Sequence, residues 1–452
     1  MARFADTIAA LATPVGTSAL AVLRASGPLV PDLAMAIFGL VPSARQTCHA
    51  DYRDQSGALV DDVLYVLFQA PRSYTGEDIL EISCHGNPFI ASKILNDLYR
   101  RGCRPADPGE FTKRAFLNGC MDLSQAEAVA DVIHARSERA LASANQQLRG
   151  ALGRRMDKMT LQLLDLLAHV EAYIDFPDED LPPDDRSALQ DGIRQLLADT
   201  KRLLATDRYG EILRDGMKTV IMGAPNVGKS SLLNRLLGRE RALVSPEPGT
   251  TRDYLQERII LGAHCIKLTD TAGLNPSPAP LEQLGMALAL EHAADADLIL
   301  LVLDATQSAP ALPKDLMPYL TPQKTLVAVN KIDLLPNGPY PRPPVDLPTI
   351  RISALNGDGC DDLIMAIIGH AETFQAERGD EMIAINARHA NALRHAVESL
   401  ETALAKVASQ DQADELLASD LRSVLVSYGE ISGKFDNEQV LDRIFGTFCI
   451  GK

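Results

Sequence analysis

Apolar positions along the chain do not keep one period, and each change of period predicts a change of architecture. Up to about residue 118, short β-rich runs (19–23, 63–68 and 79–82) are separated by Gly- and Pro-containing turns and a helical patch over 90–99, the mixture expected of a small α+β domain. From 123 to 174 Gly and Pro are nearly absent, and Leu163, Leu167, Val170 and Ile174 recur at helical spacing, which predicts one or more long helices. The acidic, Pro-containing stretch 175–183 stops them, and helix is predicted again over 186–209. Between 216 and about 374 the pattern becomes continuous apolar runs at 219–222, 265–268, 298–303 and 325–329, as in parallel strands buried on both faces. Helical spacing returns over 385–409 and 413–428, and the Pro cluster 336–348 reads as a surface loop. The order predicts a multidomain protein of α/β and α+β class. It has an N-terminal α+β domain over 1–118, a helical domain in two parts, 119–215 and 376–452, and an inserted domain with a mostly parallel sheet over 216–375. Such an insertion works where entry and exit lie close together on a surface.

Composition narrows the function classes. A chain of 452 residues exceeds one hydrophobic core and divides into two to four domains at roughly 100 to 200 residues each. With 44 basic against 60 acidic residues the net charge is -16, so the chain repels phosphate backbones and nonspecific nucleic-acid binding is disfavoured. No stretch approaches the roughly 20 apolar residues that span a bilayer, and the N-terminus lacks the charged-then-apolar order of a signal peptide. A cytoplasmic protein with no membrane partner is predicted. The 7 cysteines, Cys48, Cys84, Cys103, Cys120, Cys265, Cys360 and Cys449, are scattered and form no C-x-x-C pair, which argues against a disulfide framework and a zinc knuckle.

The chemistry lies in the apolar-strand region. Gly223-Ala224-Pro225-Asn226-Val227-Gly228-Lys229-Ser230 follows a predicted strand and precedes a helical run. It fits G-x-x-x-x-G-K-[ST], in which backbone N–H groups curl around phosphates, the Lys meets the β- and γ-phosphates and the Ser ligates Mg2+. Asp270-Thr271-Ala272-Gly273 ends another strand, where an Asp holds Mg2+ through water and a Gly N–H reaches the γ-phosphate. Asn330-Lys331-Ile332-Asp333 reads as the guanine reader, and Ser353-Ala354-Leu355 as the loop behind the base. Adenine offers an acceptor where Asp333 needs a donor and leaves that carboxylate unpaired. The residue after Gly273 is Leu274, which cannot orient an attacking water as a Gln does. Asn226 suggests a substitute, a monovalent cation beside the phosphates with the Ser245 and Glu247 carbonyls and the Thr250 hydroxyl closing the cage. A turn residue bonding its own loop is the alternative for Asn226.

Gly249-Thr250-Thr251-Arg252-Asp253, the phosphate loop through Ser231, a GTP-binding domain embedded in helices, Ser73 to Asp78, Pro108 to Gly119 and the terminal Phe448-Cys449-Ile450-Gly451-Lys452 together resemble the MnmE (TrmE) family. These are the tRNA uridine-5-carboxymethylaminomethyl-modification GTPases, and the resemblance covers the whole chain. It implies an N-terminal folate-binding and dimerisation domain, a helical domain and a P-loop GTPase domain whose K+-dependent dimerisation switches on hydrolysis. It also implies a homodimer that works with an MnmG-type FAD protein and a 5,10-methylene or 5-formyl tetrahydrofolate on the tRNA wobble uridine, the tRNA being bound through the complex. The implied GTP site is Asn226, Val227, Gly228, Lys229, Ser230, Ser231, Ser245, Thr250, Thr251, Asp270, Thr271, Ala272, Gly273, Asn330, Lys331, Asp333, Ser353 and Ala354. Ser230 and Thr251 would ligate Mg2+, and Asn226, Ser245, Glu247 and Thr250 would ligate K+. Glu282 would be the catalytic acidic residue, and Cys449 would stand beside the reacting one-carbon unit. Arg24, Glu81 and Lys452 would bind folate, with Lys452 carried to the partner's N-terminal domain. Cys120 stands where the family has a further folate-contacting Lys. The family's Gly-Arg-Gly-Gly-like turn is Gly16-Thr17-Ser18-Ala19 here, and an Arg expected after Glu282 is absent from Met286-Ala287-Leu288.

Plainer readings stand beside these roles. From the residues alone Glu282 reads first as a solvated helix charge, Arg24 as a strand-end surface charge and Glu81 as the polar face of a strand. Phe448 and Ile450 can simply cap the helical domain, leaving Cys449 an inert thiol. Two rival functions share the motifs. An RNA-binding GTPase switch needs a basic module that neither terminal segment offers. A folate-dependent one-carbon transferase would use GTP only for regulation.

Overall fold

Along the chain run β1 (Ile8–Leu11), β2 (Leu20–Ser26), α1 (Val30–Phe38), β3 (Thr47–Arg53), β4 (Leu59–Phe68), β5 (Ile79–His85), α2 (Pro88–Arg100), β6 (Arg104–Pro105) and α3 (Glu110–Leu117). There follow α4 (Leu123–His134), α5 (Glu138–Leu148), α6 (Ala151–Asp175), α7 (Arg186–Leu204), α8 (Asp207–Asp215), β7 (Met217–Met222) and α9 (Lys229–Arg239). The rest are β8 (Gln256–Leu261), β9 (His264–Asp270), β10 (Leu298–Asp304), β11 (Thr325–Asn330), β12 (Thr349–Arg351), α10 (Cys360–Ala376), α11 (Ala387–Ala408) and α12 (Asp414–Ser432). This computed structural model describes residues 4–175, 186–239, 256–270, 289–308, 312–335, 339–341, 345–376, 383–408, 414–433, 446, 448 and 451. The chain divides into two compact units, Met1–Ala130 with Gln147–Leu196 and Glu398–Lys452, and Asp131–Gln146 with Leu197–Val397.

The first unit holds a six-stranded sheet of order β3-β4-β5-β2-β1-β6, antiparallel except for the β1·β6 pair. Period-2 alternation turns Val63, Tyr65 and Leu67 of β4 inward and leaves Leu64 outside. They pack with Leu33 and Ile37 of α1 and Ile94 and Leu98 of α2. Arg24 and Glu81 alternate with the buried Leu23, Leu80 and Ile82 and therefore point to the opposite face. In the same unit α6 buries Leu152, Met156, Met159, Leu163, Leu167 and Val170, one stripe at three- and four-residue spacing, and α12 runs against it.

The second unit holds a sheet of order β12-β11-β10-β7-β9-β8, parallel except for the β8·β9 hairpin. Every residue of β10 is buried, because Leu232 and Leu363 cover one face and Ala289, Ala293 and Leu316 the other. The chain leaves β7 toward β9 on one side and later returns to β10 on the other. Ligands of open α/β sheets bind at such a switch point, outside the carboxyl ends of the strands. α8 leads into β7, and the returning segment passes directly against it, for a Cβ at Gly210 would stand 2.1 Å from the Ile385 carbonyl oxygen. Entry and exit of the sheet are thus side by side.

The helical run predicted over 123–174 is three helices, α4, α5 and α6, interrupted at 135–137 and 149–150. The run over 186–209 divides at Ala205 and Thr206 into α7 and α8. Five strands, β1, β3, β6, β8 and β12, escaped the sequence pattern, three of them for plain physical reasons. β1 is Ile-Ala-Ala-Leu, buried without alternation. β3 is a polar edge strand with a single buried residue, Tyr52. β8 forms a short hairpin on the edge of an otherwise parallel sheet.

Candidate functional site

Residues 223–228 connect β7 to α9. Gly228 has φ 98°, and a Cβ there would lie 2.2 Å from Asn330 Nδ2, so this position combines a left-handed backbone with a close approach that any side chain would block. Val227 is buried and anchors the loop, while Ser230 and Ser231 are exposed on the first turn of α9. That turn carries the positive end of the helix dipole. Lys229 is buried, and its ammonium donates to the Gly223 and Ala224 carbonyls, both at 3.0 Å.

The loop after β11 is laced to the phosphate loop. Asn330 donates from Nδ2 to the Val227 carbonyl at 2.8 Å and accepts at Oδ1 from the Ala354 N–H at 2.9 Å. One buried amide therefore fixes the phosphate loop and the loop at 353–355 together. Lys331, held at φ 67°, donates to the Asn226 carbonyl at 2.7 Å and to Asp304 Oδ2 at 2.7 Å. Ser353 Oγ donates to Asp333 Oδ1 at 2.6 Å, which fixes the carboxylate rotamer while both oxygens keep lone pairs for further donors. Arg235 of α9 donates to the Ala354 carbonyl at 3.0 Å and adds a third tie. The arrangement holds the phosphate loop, the loop after β11 and the Asp333 carboxylate in fixed relation to one another.

Asp304 was not among the sequence candidates. The signal for it was an Asp closing a fully apolar strand, Leu298 to Leu303, a position at the ligand end of the sheet. Burial alone would raise its carboxyl, but hydrogen bonds from Lys331 and Thr306 outweigh it and hold the group below the usual carboxylate range. Asp270 is the last residue of β9, opposite Ile221 of β7, at the same end of the sheet. Ser245, Glu247, Thr250, Thr251, Thr271, Ala272, Gly273, Leu274 and Glu282 lie outside the described residues. Of the predicted K+ ligands only Asn226 is described, exposed at the loop tip with φ 63°.

The folate candidates form a second group. Arg24 and Glu81 are register partners on β2 and β5. Arg24 donates from Nε at 2.9 Å and Nη2 at 2.7 Å, both to Glu81 Oε1. The rings of Tyr74 and Phe111 lie 5.4 and 5.6 Å from the guanidinium. Behind them is a cluster that sequence reasoning missed. Arg114 is fully buried and pairs with Asp6 at 2.8 Å, Glu110 at 3.0 Å and Glu77 at 3.2 Å. Glu77 in turn accepts from Ser26 Oγ at 2.8 Å, so the loop carrying Tyr74 is pinned beside β2. Its signal was the charge density of the segment Glu110 to Arg114 near the quoted Ser73 to Asp78 run. Cys120 is exposed, with its thiol 2.9 Å from where a Gly76 Cβ would stand. Burial pushes that thiol up.

Phe448 is buried against Leu123 and Ala126. At Gly451 a Cβ would lie 2.2 Å from the Leu11 carbonyl oxygen. Leu11 is opposite Leu23, the neighbour of Arg24. Cys449 and Lys452 lie outside the described residues. Among the described residues no group of three His, Cys, Asp or Glu side chains could hold a metal ion, and no helix is long and apolar enough to cross a membrane.

The MnmE helical domain family matches residues 123–449, and the N-terminus of the GTP-binding protein TrmE matches residues 7–120. The tRNA modification GTPase MnmE of Opitutus terrae is 58% identical over 449 residues, spanning 99% of each chain. The same-named protein of Akkermansia muciniphila is 45% identical over 451 residues, again 99% of each. That of Symbiobacterium thermophilum is 40% identical over 458 residues with the same coverage.

Proposed function

The chain belongs to the MnmE family of tRNA modification GTPases, and on that premise we propose a K+-activated, dimerisation-regulated cycle of GTP hydrolysis. The cycle serves addition of a carboxymethylaminomethyl or aminomethyl group to C5 of the tRNA wobble uridine, together with an MnmG-type FAD protein and a one-carbon tetrahydrofolate. The observation that carries the nucleotide part is the lacing of Asn330, Lys331 and Ser353 around Asp333 and the phosphate loop. Oriented donors and a fixed carboxylate need no reorganisation when guanine arrives, which is where such a site gains affinity.

In this reading Lys229 binds the β- and γ-phosphates, and Ser230 with Thr251 holds Mg2+, which supplies charge neutralisation at the phosphates. Asn226, Ser245, Glu247 and Thr250 hold K+ in place of the orienting Gln that Leu274 excludes, and Glu282 positions the water. Arg24 and Glu81 suit a folate: both Arg24 donors land on Glu81 Oε1, so Oε2 remains to accept from a pterin N–H. Lys452 adds a cation near that pair, Cys449 stands at the one-carbon unit, and Cys120 takes the place of a family Lys. We assign folate binding to 1–118, GTP binding to 216–375 and the helical part to 119–215 and 376–452, in a cytoplasmic homodimer. The net charge of -16 favours a division of labour in which a more basic flavoprotein supplies most of the tRNA contact.

The test is GTP turnover in K+ and in Na+, combined with nucleoside analysis of tRNA incubated with this protein, its flavoprotein partner and folate. Faster turnover in K+ and modification that requires both GTP hydrolysis and folate are expected. Equal turnover in the two salts would remove the cation, and modification without folate would remove the one-carbon role.

A further inference from the structure

We infer that Asp304 is a positioning residue of the nucleotide site, holding Lys331 so that Lys331 in turn holds the phosphate loop at Asn226. The inference rests on the guanine-nucleotide reading of the same site. Asp304 is the last residue of β10 and lies opposite Asn330 in the β10·β11 register, and its side chain is 2% exposed. Its two oxygens have separate duties. Oδ1 accepts from the Thr306 N–H at 2.9 Å and the Thr306 hydroxyl at 2.7 Å. Oδ2 accepts from Lys331 at 2.7 Å and, more weakly, from Gln307 Nε2 at 3.4 Å. The first pair fixes the carboxylate plane, and the second aims the ammonium.

Lys331 needs that aim. Its backbone is left-handed, at φ 67°, a conformation costly for a residue with a Cβ unless the surroundings fix it. Its ammonium spans two elements, Asp304 at the end of β10 and the Asn226 carbonyl in the phosphate loop. Asn226 is itself left-handed, at φ 63°. A charge-assisted bond to a buried carboxylate is among the stronger ties available, and here it aims the Lys331 ammonium that joins the base loop to the phosphate loop. Asp304 would thus act on how long a nucleotide stays, through Lys331, and not on which base is chosen, which is the task of Asp333.

The experiment uses the full-length chain with Asp304→Asn. An Asn cannot serve both duties, because its one oxygen must take either Thr306 or Lys331 and its NH2 meets donors at the other. Release of a fluorescent GDP should accelerate about tenfold and KM for GTP rise by a similar factor, the magnitude of one charge-assisted bond. The preference for GTP over xanthosine triphosphate and kcat at saturating GTP and K+ should stay within about twofold. A merely structural role would lower kcat and melting temperature together without this split. In the Lys331→Met background, Asp304→Asn should add less than about twofold, since the path through Lys331 is already cut. Should Asp304→Asn fail to fold, Thr306→Val at an exposed position carries the test. It removes one of the two bonds that orient the carboxylate, and about threefold faster release is expected. Release unchanged in the folded Asp304→Asn protein, or in Thr306→Val if that alone folds, overturns the inference. If the unaltered chain does not bind GDP at all, the nucleotide reading fails and not the role of Asp304.

Discussion

The nucleotide loops of the second sheet and the Arg24–Glu81 pair of the first are held by different kinds of atoms. At the carboxyl ends of β7, β10 and β11 the loops are held through backbone atoms: Asn330 bonds the Val227 carbonyl and the Ala354 N–H, and Lys331 the Asn226 carbonyl. On the open face of the first sheet the candidate binders are side chains, Arg24 and Glu81, brought together by strand register and backed by the buried Arg114 cluster. A site made of backbone fails when a Cβ is added in the wrong place. A site made of side chains fails gradually, as each group is removed.

The sharpest test of that contrast is Gly228→Ala. The new Cβ would lie 2.2 Å from Asn330 Nδ2 at a backbone φ of 98°, so either the loop or Asn330 must move. GTP affinity should fall on the order of 100-fold or more, read by titration with a fluorescent nucleotide. Binding of 5-formyl tetrahydrofolate should be unchanged. A small loss would mean that the loop is softer than the lacing implies.

Asp333→Asn comes next, because it changes chemistry and leaves geometry. The amide turns a double acceptor into a mixed donor and acceptor, so discrimination between GTP and xanthosine triphosphate should swing by about 100-fold or more toward the latter. Competition between the two nucleotides reads it directly, and a retained strong preference for GTP would displace Asp333 from the base.

These two positions also show what was legible in the chain. Gly228, Lys229, Asn330 and Asp333 were readable because a backbone cradle admits few residue types at fixed spacing. The buried strands at 219–222, 298–303 and 325–329 were readable for the same reason, since only apolar runs survive burial on both faces. Asp304 and Arg114 carried only weak signals, a strand-end Asp and a charge-dense segment. Their importance comes from partners 27 to 108 positions away, and an Asp or an Arg in isolation reads as a solvated charge. β1 was missed because Ile8-Ala9-Ala10-Leu11 is buried on both faces by neighbours that only the sheet order supplies. The folate pair was named through resemblance, and its register, Arg24 opposite Glu81, appears only once β2 and β5 are paired.

Arg24→Ala should have a smaller effect, confined to the first unit. Glu81 is already partly exposed beside Arg24, at 27%, so the pair contributes about 1 kcal/mol or less to stability. Folate affinity should drop about tenfold through loss of a forked charge-assisted contact, measured by calorimetry, with GTP turnover within about twofold. If folate binding is untouched, the open face of the sheet is not its site.

The smallest expected effect separates the two units by acid sensitivity. In the second unit burial lowers the pKa of His264, helped by Arg139 and opposed by Glu372. Burial also lowers that of His370, whose Nε2 lies 3.2 Å from the Asp297 carbonyl oxygen, a contact that opposes the shift. A depressed histidine binds its proton more readily in the unfolded chain. Its stabilisation is therefore complete above the unfolded value of about 6.5 and is lost as pH falls toward the folded value, by at most about 1.4 kcal/mol per pH unit for each group. Asp297 works the other way in stronger acid, because burial pushes its carboxyl up in spite of Arg208 and the folded state takes the proton first. In the first unit burial would raise Asp6 and Glu110, but their arginine partners outweigh it and lower both. Their stabilisation persists until pH falls below about 4. His85 there is pushed up by its hydrogen bond to Asp61, so a modest fall in pH favours that unit's folded form. Hydrogen exchange resolved by peptide at pH 7.5 and 5.5, corrected for the intrinsic rate, should show protection falling in β9 and α10 while β2 and β5 keep theirs. Replacing both histidines, as His264→Asn with His370→Gln, should flatten the difference. Equal loss in both sheets at pH 5.5 would show that the acid response belongs to the whole chain and not to these two buried rings.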